Sequence, residues 1–324
     1  MTGPAGLSGA RVLVTGGAGF LGSRVIARLA REGCGEVFAP THDELDLRDA
    51  GPTRDRFREA WPDVVVHLAA RVGGIGANEQ HPGTFWHDNL AMGVNVLEAC
   101  RVAGVRRLVV VGTVCAYPKH TPVPFREAEL WNGFPEETNA PYGVAKRALA
   151  TGMDAYRREF GLAGAFLLPA NLYGPGDDFD PATSHVIAAT IRKCVEAVDA
   201  RRAEVSMWGT GAATREFLYV DDAADGVVRA AASIDDPAPM NLGTGREISI
   251  RDLATLIARA SGFAGRFVWD PSRPDGQPRR ALDTSEARRR LGWVATTPLE
   301  DGLAATVRAY REACGRGASC GSSS

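Results

Sequence analysis

The chain has 324 residues, of which 45% are hydrophobic and 23% charged; these are ordinary values for a folded globular protein, and the length suits about two domains whose core needs no metal or disulfide staples. The 37 Lys and Arg against 39 Asp and Glu leave a net charge of −2, which speaks against a nucleic-acid binder, because such proteins show a basic excess. Six cysteines stand with no Cys-x-x-Cys pair and no Cys/His zinc spacing, so no metal is expected and the thiols read as free in a reducing cytoplasm.

The first element is the run Val12-Leu13-Val14, bounded by glycines, which predicts a buried parallel strand over 11–15. Gly16-Gly17-Ala18-Gly19-Phe20-Leu21-Gly22 follows it directly and opens a helix over 20–31, with Phe20, Leu21, Val25, Ile26 and Leu29 at helical spacing. Glycines at 16, 19 and 22 permit a tight turn, a close backbone approach to a pyrophosphate and close helix–strand packing, so this loop predicts a dinucleotide site. The helix N-terminus beyond it offers free N–H groups and a positive dipole to phosphates.

Short strands are then expected at 37–39, 63–68 and 107–111, with a helix over 88–103 between the last two. Thr113 lies just past the third of these strands, at the carboxyl edge where open α/β sheets bind ligands. A helix over 142–160 carries Tyr142 and Lys146 four residues apart, hence on one face. A cation there would lower the phenol's pKa from about 10 and make it a better acid and base. A strand over 165–169 closes this alternation of strands and helices, which predicts a doubly wound parallel sheet.

After Pro169 the alternation breaks down. Stretches 171–181 and 270–278 are rich in Gly, Pro and Asp. Helices are expected over 184–200 and 250–261, and Asn241-Leu242-Gly243 reads as a strand end. These segments predict a smaller, discontinuous C-terminal substrate domain, made of 171–218 with about 241–314. Residues 1–170 with about 219–240 form the dinucleotide domain, and 315–324 form a frayed Gly/Ser-rich tail in which Cys320 has no evident role. The uncharged stretch 161–176 contains Pro169, Asn171, Pro175 and four glycines, so it is no membrane span.

The Gly loop, Thr113 and Tyr142-x-x-x-Lys146 together resemble the extended short-chain dehydrogenase/reductase superfamily, and imply its Rossmann fold. Sugar dehydratases of that superfamily place an Asp-Glu pair after the Thr, whereas this chain has Val114-Cys115-Ala116-Tyr117-Pro118-Lys119. Read alone, Cys115 is a small buried hydrophobe, and Trp208 is more often core than ligand contact. Several further segments are similar to the GDP-L-fucose synthases. They are Val72-Gly73-Gly74-Ile75-Gly76-Ala77-Asn78, Cys115 to Lys119, Asn171-Leu172-Tyr173-Gly174-Pro175, Ser184-His185-Val186-Ile187, Arg215-Glu216-Phe217-Leu218 and Pro274-Asp275-Gly276.

That resemblance runs from about Arg11 to about Tyr310 and implies the substrate GDP-4-keto-6-deoxy-D-mannose. The product, GDP-L-fucose, arises by epimerisation at C3 and C5 followed by reduction of the 4-keto group. Cys115 matches the family's epimerisation base and His185 its proton donor. Tyr142 would protonate the 4-oxygen, Lys146 would orient the ribose and keep the phenol acidic, and Thr113 stands for the usual Ser. The resemblance places the GDP end on Lys193, Trp208, Arg215, Asp275 and Arg280, with Asn171 on the sugar or nicotinamide side. Lys193 and Arg280 replace the more usual Arg and Lys.

For the cofactor the resemblance implies Gly16, Gly17, Ala18, Gly19, Phe20, Leu21, Gly22, His42, Asp46, Leu47, Ala69, Arg71, Val111, Gly112, Tyr142, Lys146, Pro169, Asn171, Leu172 and His185. Ala18 and His42 stand where the family usually has arginines. NADP(H) is expected, helped by Arg71 and His42, with NAD(H) the alternative if Asp43 meets a ribose hydroxyl. A homodimer through the helices over 88–103 and 142–160 is expected by analogy. Two other readings share the scaffold: a nucleotide-sugar C5- or 3,5-epimerase/4-ketoreductase for a different sugar, and a non-catalytic NADP-binding sensor. A sensor would be expected to lose Tyr142 or Lys146, and both are present.

Overall fold

A computed structural model of the chain describes residues 6–273 and 275–315. Pro274, Cys320 and the tail beyond 315 lie outside the described residues. The elements of the first half are β1 (Arg11–Thr15), α1 (Phe20–Leu29), β2 (Glu36–Phe38), α2 (Ala50–Ala60), β3 (Val64–His67), α3 (Ile75–Gln80), α4 (Pro82–Ala103), β4 (Arg107–Val111), α5 (Ala140–Phe160) and β5 (Ala163–Pro169). The second half holds β6 (Asn171–Tyr173), α6 (Val186–Asp199), β7 (Glu204–Trp208), β8 (Thr214–Tyr219), α7 (Val220–Ser233), β9 (Met240–Leu242), β10 (Glu247–Ser249), α8 (Ile250–Ser261), β11 (Arg266–Asp270), α9 (Ser285–Leu291) and α10 (Leu299–Gly315).

The central sheet is parallel in the order β2-β1-β3-β4-β5-β9. Its inner strands are fully buried, which is why they read as unbroken Val/Leu runs rather than alternating ones. Helices α2, α4 and α5 pack together, and α1 packs on α7. Strand order reverses between β1 and β3, so the carboxyl ends of those strands open the crevice where such sheets take ligands. The smaller unit has two sheets, β10-β8-β6 and β11-β7. Its core gathers Ile187, Ile191, Val205, Phe217, Ile257 and Leu303.

Several elements differ from the sequence reading. Helix α2 was not anticipated, because Gly51 and Pro52 hide its pattern; Pro is tolerated in a first turn, where its missing N–H is unneeded. Helices α4 and α5 likewise begin earlier than expected, each with a proline in the first turn. Strand β9 joins the large sheet through β5. Leu282, Ala287 and Trp293, from the stretch expected in the smaller unit, belong to the core of the larger one. Cys34, Cys100, Cys115 and Cys194 are free. Cys314 is disulfide-bonded, which corrects the expectation that all six thiols are free; motif spacing does not test for such a bond. No helix among the described residues is long and apolar enough to cross a membrane.

Candidate active site

In the loop from β1 to α1, Gly16, Gly17 and Gly22 leave no room for a Cβ. Gly16 has φ +72°, and a Cβ there would lie 2.6 Å from the Ala69 backbone nitrogen. A Cβ on Gly22 would lie 2.1 Å from the Gly16 carbonyl oxygen, so the helix seats directly on the turn. Gly19 meets only the Gly16 oxygen at 3.2 Å and is the N-cap of α1 with no side-chain cap. The first amides of α1 are therefore left for an outside acceptor, and a pyrophosphate fits this cradle.

At the end of β4 the chain turns through a short 3₁₀ segment, Val114–Ala116. Thr113 caps it, its Oγ1 accepting from the Cys115 N–H at 3.2 Å. Helix α5 presses against this turn. A Cβ on Gly143 would lie 2.6 Å from the Cys115 carbonyl oxygen, so only glycine permits the contact. Arg147 donates to the carbonyls of Ala116 (2.5 Å) and Gly133 (2.7 Å). These two residues, which the sequence reading did not single out, hold Tyr142 and Cys115 in one cluster. Arg147 lies five residues after Tyr142, off its helical face, so helical spacing from Tyr142 would have found neither Arg147 nor its partners.

The Tyr142 phenol is pushed above its ordinary range by burial and by the neighbouring Cys115, with a hydrogen bond to Thr113 pulling the other way. The expectation that Lys146 keeps it acidic is not met. Lys146 is fully buried, and its Nζ donates to the Val111 carbonyl at 3.1 Å, 6.0 Å from the Tyr142 ring centroid. Burial brings its own pKa down to about 8. His67, at the end of β3, bonds Thr15 Oγ1 through Nδ1 at 2.8 Å and is held near 3 by burial and by Lys146, so it is neutral.

His185 is the N-cap residue of α6 and so is positioned by the core of the smaller unit. Its side chain keeps solvent contact, yet the protein around it lowers its pKa, while Asp178 and a bond to the Thr183 backbone raise it. Arg215 and Arg280 converge on the thiol side of the cluster. Arg280 Nη1 lies 3.5 Å from Cys115 Sγ, and burial, with Arg280 close by, brings Arg215 down to about 10.

Trp208 is 67% exposed, with the Arg273 guanidinium 5.1 Å above its ring. Lys193 donates to the Ser206 carbonyl at 2.9 Å. The Asp275 carboxylate is engaged by the Thr210 N–H (2.7 Å) and hydroxyl (2.6 Å); it clamps a loop rather than standing free. Asn171 Nδ2 is taken by the Glu216 carbonyl at 3.0 Å.

Beyond β2, Asp46 is paired with Arg48 at 2.5 Å, which holds its carboxyl down to about 2. Arg71 and Arg48 share the buried Asp88 at 3.3 and 3.5 Å, while His42 is exposed. Arg48 thus joins Arg71 as a cation of this end, beside the exposed His42, and the sequence reading missed it. Leu47 is 5% exposed, so its side chain packs in the core and only its backbone is available.

A family model described as the NAD dependent epimerase/dehydratase family matches residues 12–243. The probable GDP-L-fucose synthase 1 of Oryza sativa subsp. japonica is 41% identical over 305 residues, covering 94% of this chain and 93% of that protein. The GDP-L-fucose synthase of Escherichia coli (strain K12) is 38% identical over 315 residues, covering 94% of this chain and 98% of that one. Among solved structures, a GDP-L-fucose synthetase from Naegleria fowleri bound to NADP matches with a TM-score of 0.88 at 28% identity, covering 98% of each chain.

Proposed function

Because this chain belongs to the NAD dependent epimerase/dehydratase family, we propose that it converts GDP-4-keto-6-deoxy-D-mannose to GDP-L-fucose. The observation that carries the reading is the cluster at the end of β4, where Thr113, Cys115 and Tyr142 meet beside buried Lys146. Such a cluster offers a thiol for carbon acids and a phenol for a ketone oxygen at one place.

The 4-keto group acidifies C3–H and C5–H. Cys115, as thiolate, takes a proton from one face of the ring, and His185 returns one on the other. Tyr142, fully protonated because its pKa is raised, donates its phenolic proton to the 4-oxygen. The reduced nicotinamide, when bound, supplies hydride to C4. Lys146 and the Gly16–Gly22 cradle hold its ribose and pyrophosphate. Trp208 offers an exposed indole face for the guanine, and Lys193 and Arg215 place charge for the diphosphate.

The cofactor is NADPH, with Arg48 and Arg71 as the cations, and the His42 ring as a further hydrogen-bonding group, available to a 2′-phosphate. Two copies associate through α4 and α5, where Trp86 and Val94 leave apolar surface exposed on α4. Mixing the protein with NADPH and the 4-keto sugar nucleotide tests the whole reading. Loss of nicotinamide absorbance with GDP-L-fucose identified by NMR is the expected result. A D-configured product, or no oxidation of either NADPH or NADH, overturns it.

A further inference from the structure

Arg280 does more in this structure than offer a charge to a diphosphate. Two of its donors, Nε and Nη2, converge on the Gln277 Oε1 at 3.2 and 3.0 Å, which leaves Nη1 directed at Cys115 Sγ, 3.5 Å away. Gln277 is itself 8% exposed, and its Nε2 donates to the Lys119 carbonyl at 2.7 Å. Lys119 follows Cys115 by four residues, and its N–H is tied to the Phe134 carbonyl. The segment bearing the thiol is therefore gripped twice by the segment 277–280, once at the sulfur and once at Lys119.

The amide orientation is set by its neighbours, because the oxygen must face the guanidinium and the nitrogen the carbonyl. Lysine at 280 could not bond Gln277 through two donors and still point a third at the sulfur. The other groups that face Cys115 are Arg215 from β8, Tyr142 from α5 and Thr113 of its own turn. The Asp275 carboxylate is taken by Thr210, and among the described residues no carboxylate pairs with Arg280.

We propose that Arg280, aimed by Gln277, is a positioning residue whose charge stabilises Cys115 as the thiolate before any substrate arrives. The thiol releases its proton to water. The thiolate then takes the carbon-bound proton of the sugar and is a thiol again, while Arg280 keeps its own protons throughout. The name of base for Cys115 rests on the proposed function, but the guanidinium–thiolate pair does not.

The test is alkylation of the ligand-free protein by iodoacetamide, with Cys115→Ser as the background for the remaining thiols. An opposite charge next to a titrating group favours its charged form by at least tenfold or so. Arg280→Met should therefore alkylate Cys115 about tenfold more slowly at pH 7, and the deficit should close near pH 10, where both proteins hold thiolate. Gln277→Ala should show part of the same deficit, and Arg280→Lys should recover part of the rate. Circular dichroism and gel filtration establish that each variant is folded.

An unchanged rate at pH 7 in folded Arg280→Met overturns the proposal. So does a deficit that persists undiminished at pH 10, since that reports access rather than charge. Deuterium incorporation at C3 and C5 of the 4-keto substrate separates the two readings. Normal exchange in Cys115→Ser, with the alkylation deficit present, would remove Cys115 as base and leave the pair standing.

Discussion

Gly143 brings helix α5 against the Cys115 turn with no room for a Cβ, so Gly143→Ala is a sharp test of the site's construction. The added methyl would lie 2.6 Å from the Cys115 carbonyl oxygen and 3.3 Å from the Pro135 side chain. It falls about 0.8 Å short of the ordinary contact distance of 3.4 Å, and the obstructing atom is backbone. Two effects then oppose each other. Alanine is a better helix residue than glycine by up to about 1 kcal/mol, so global stability should change little. The overlap has to be relieved by moving the helix, the turn or both by most of an ångström. A misplacement of that size at reacting groups costs on the order of 100-fold in rate.

The helix carries Tyr142 and the turn carries Cys115, so both activities should fall together. NADPH oxidation reports the first, and deuterium incorporation at C3 and C5 with oxidised cofactor reports the second. A variant with wild-type rates in both assays, or one that unfolds at room temperature, refutes the view that this contact aligns the two groups.

Tyr142→Phe should lose about 10²–10⁴-fold in reduction while still exchanging deuterium at C3 and C5; near-wild-type NADPH oxidation would remove Tyr142 from the mechanism. Lys146 has a folded-state pKa of about 8 against an ordinary 10.5, so the folded chain resists the proton and its stability rises with pH between those values. Carrying the charge costs up to about 3 kcal/mol below pH 8, against about 1 kcal/mol for the bond to Val111. Ligand-free Lys146→Met should accordingly be more stable than wild type at pH 7 and lose that advantage by about pH 10 in urea titrations; the same difference at both pH values contradicts this. Glu216 is 1% exposed and accepts from the N–H groups of Thr244, Gly245 (2.8 Å) and Leu282 (2.6 Å). Glu216→Ala strands those donors and should cost about 3 kcal/mol or more; a thermal midpoint within a degree of wild type would show that water satisfies them.

What could be read from the residues alone was whatever depends on local spacing. The apolar run 12–14 followed by glycines at 16, 19 and 22 determines a strand, a tight turn and a helix, and hence the phosphate cradle, because each of those glycines answers a short-range steric demand. Tyr142 and Lys146 are likewise legible, since four residues on a helix bring two side chains to one face. Resemblance supplied the roles of Cys115 and His185, which no periodicity distinguishes from an ordinary core thiol and an ordinary helix cap.

The tertiary structure decided everything that depends on residues far apart in the chain. Arg280 meets Cys115 across 165 positions, and Asp275 turns to Thr210 across 65. Burial beside the ends of β3 and β4 lowers the pKa of Lys146, and burial against the Thr113–Cys115 turn raises that of Tyr142, reversing the acidity expected of the phenol. Desolvation and long-range pairing depend on which segments fold against which. The sequence carries that information only through the whole packed core, and no single motif within it states the result.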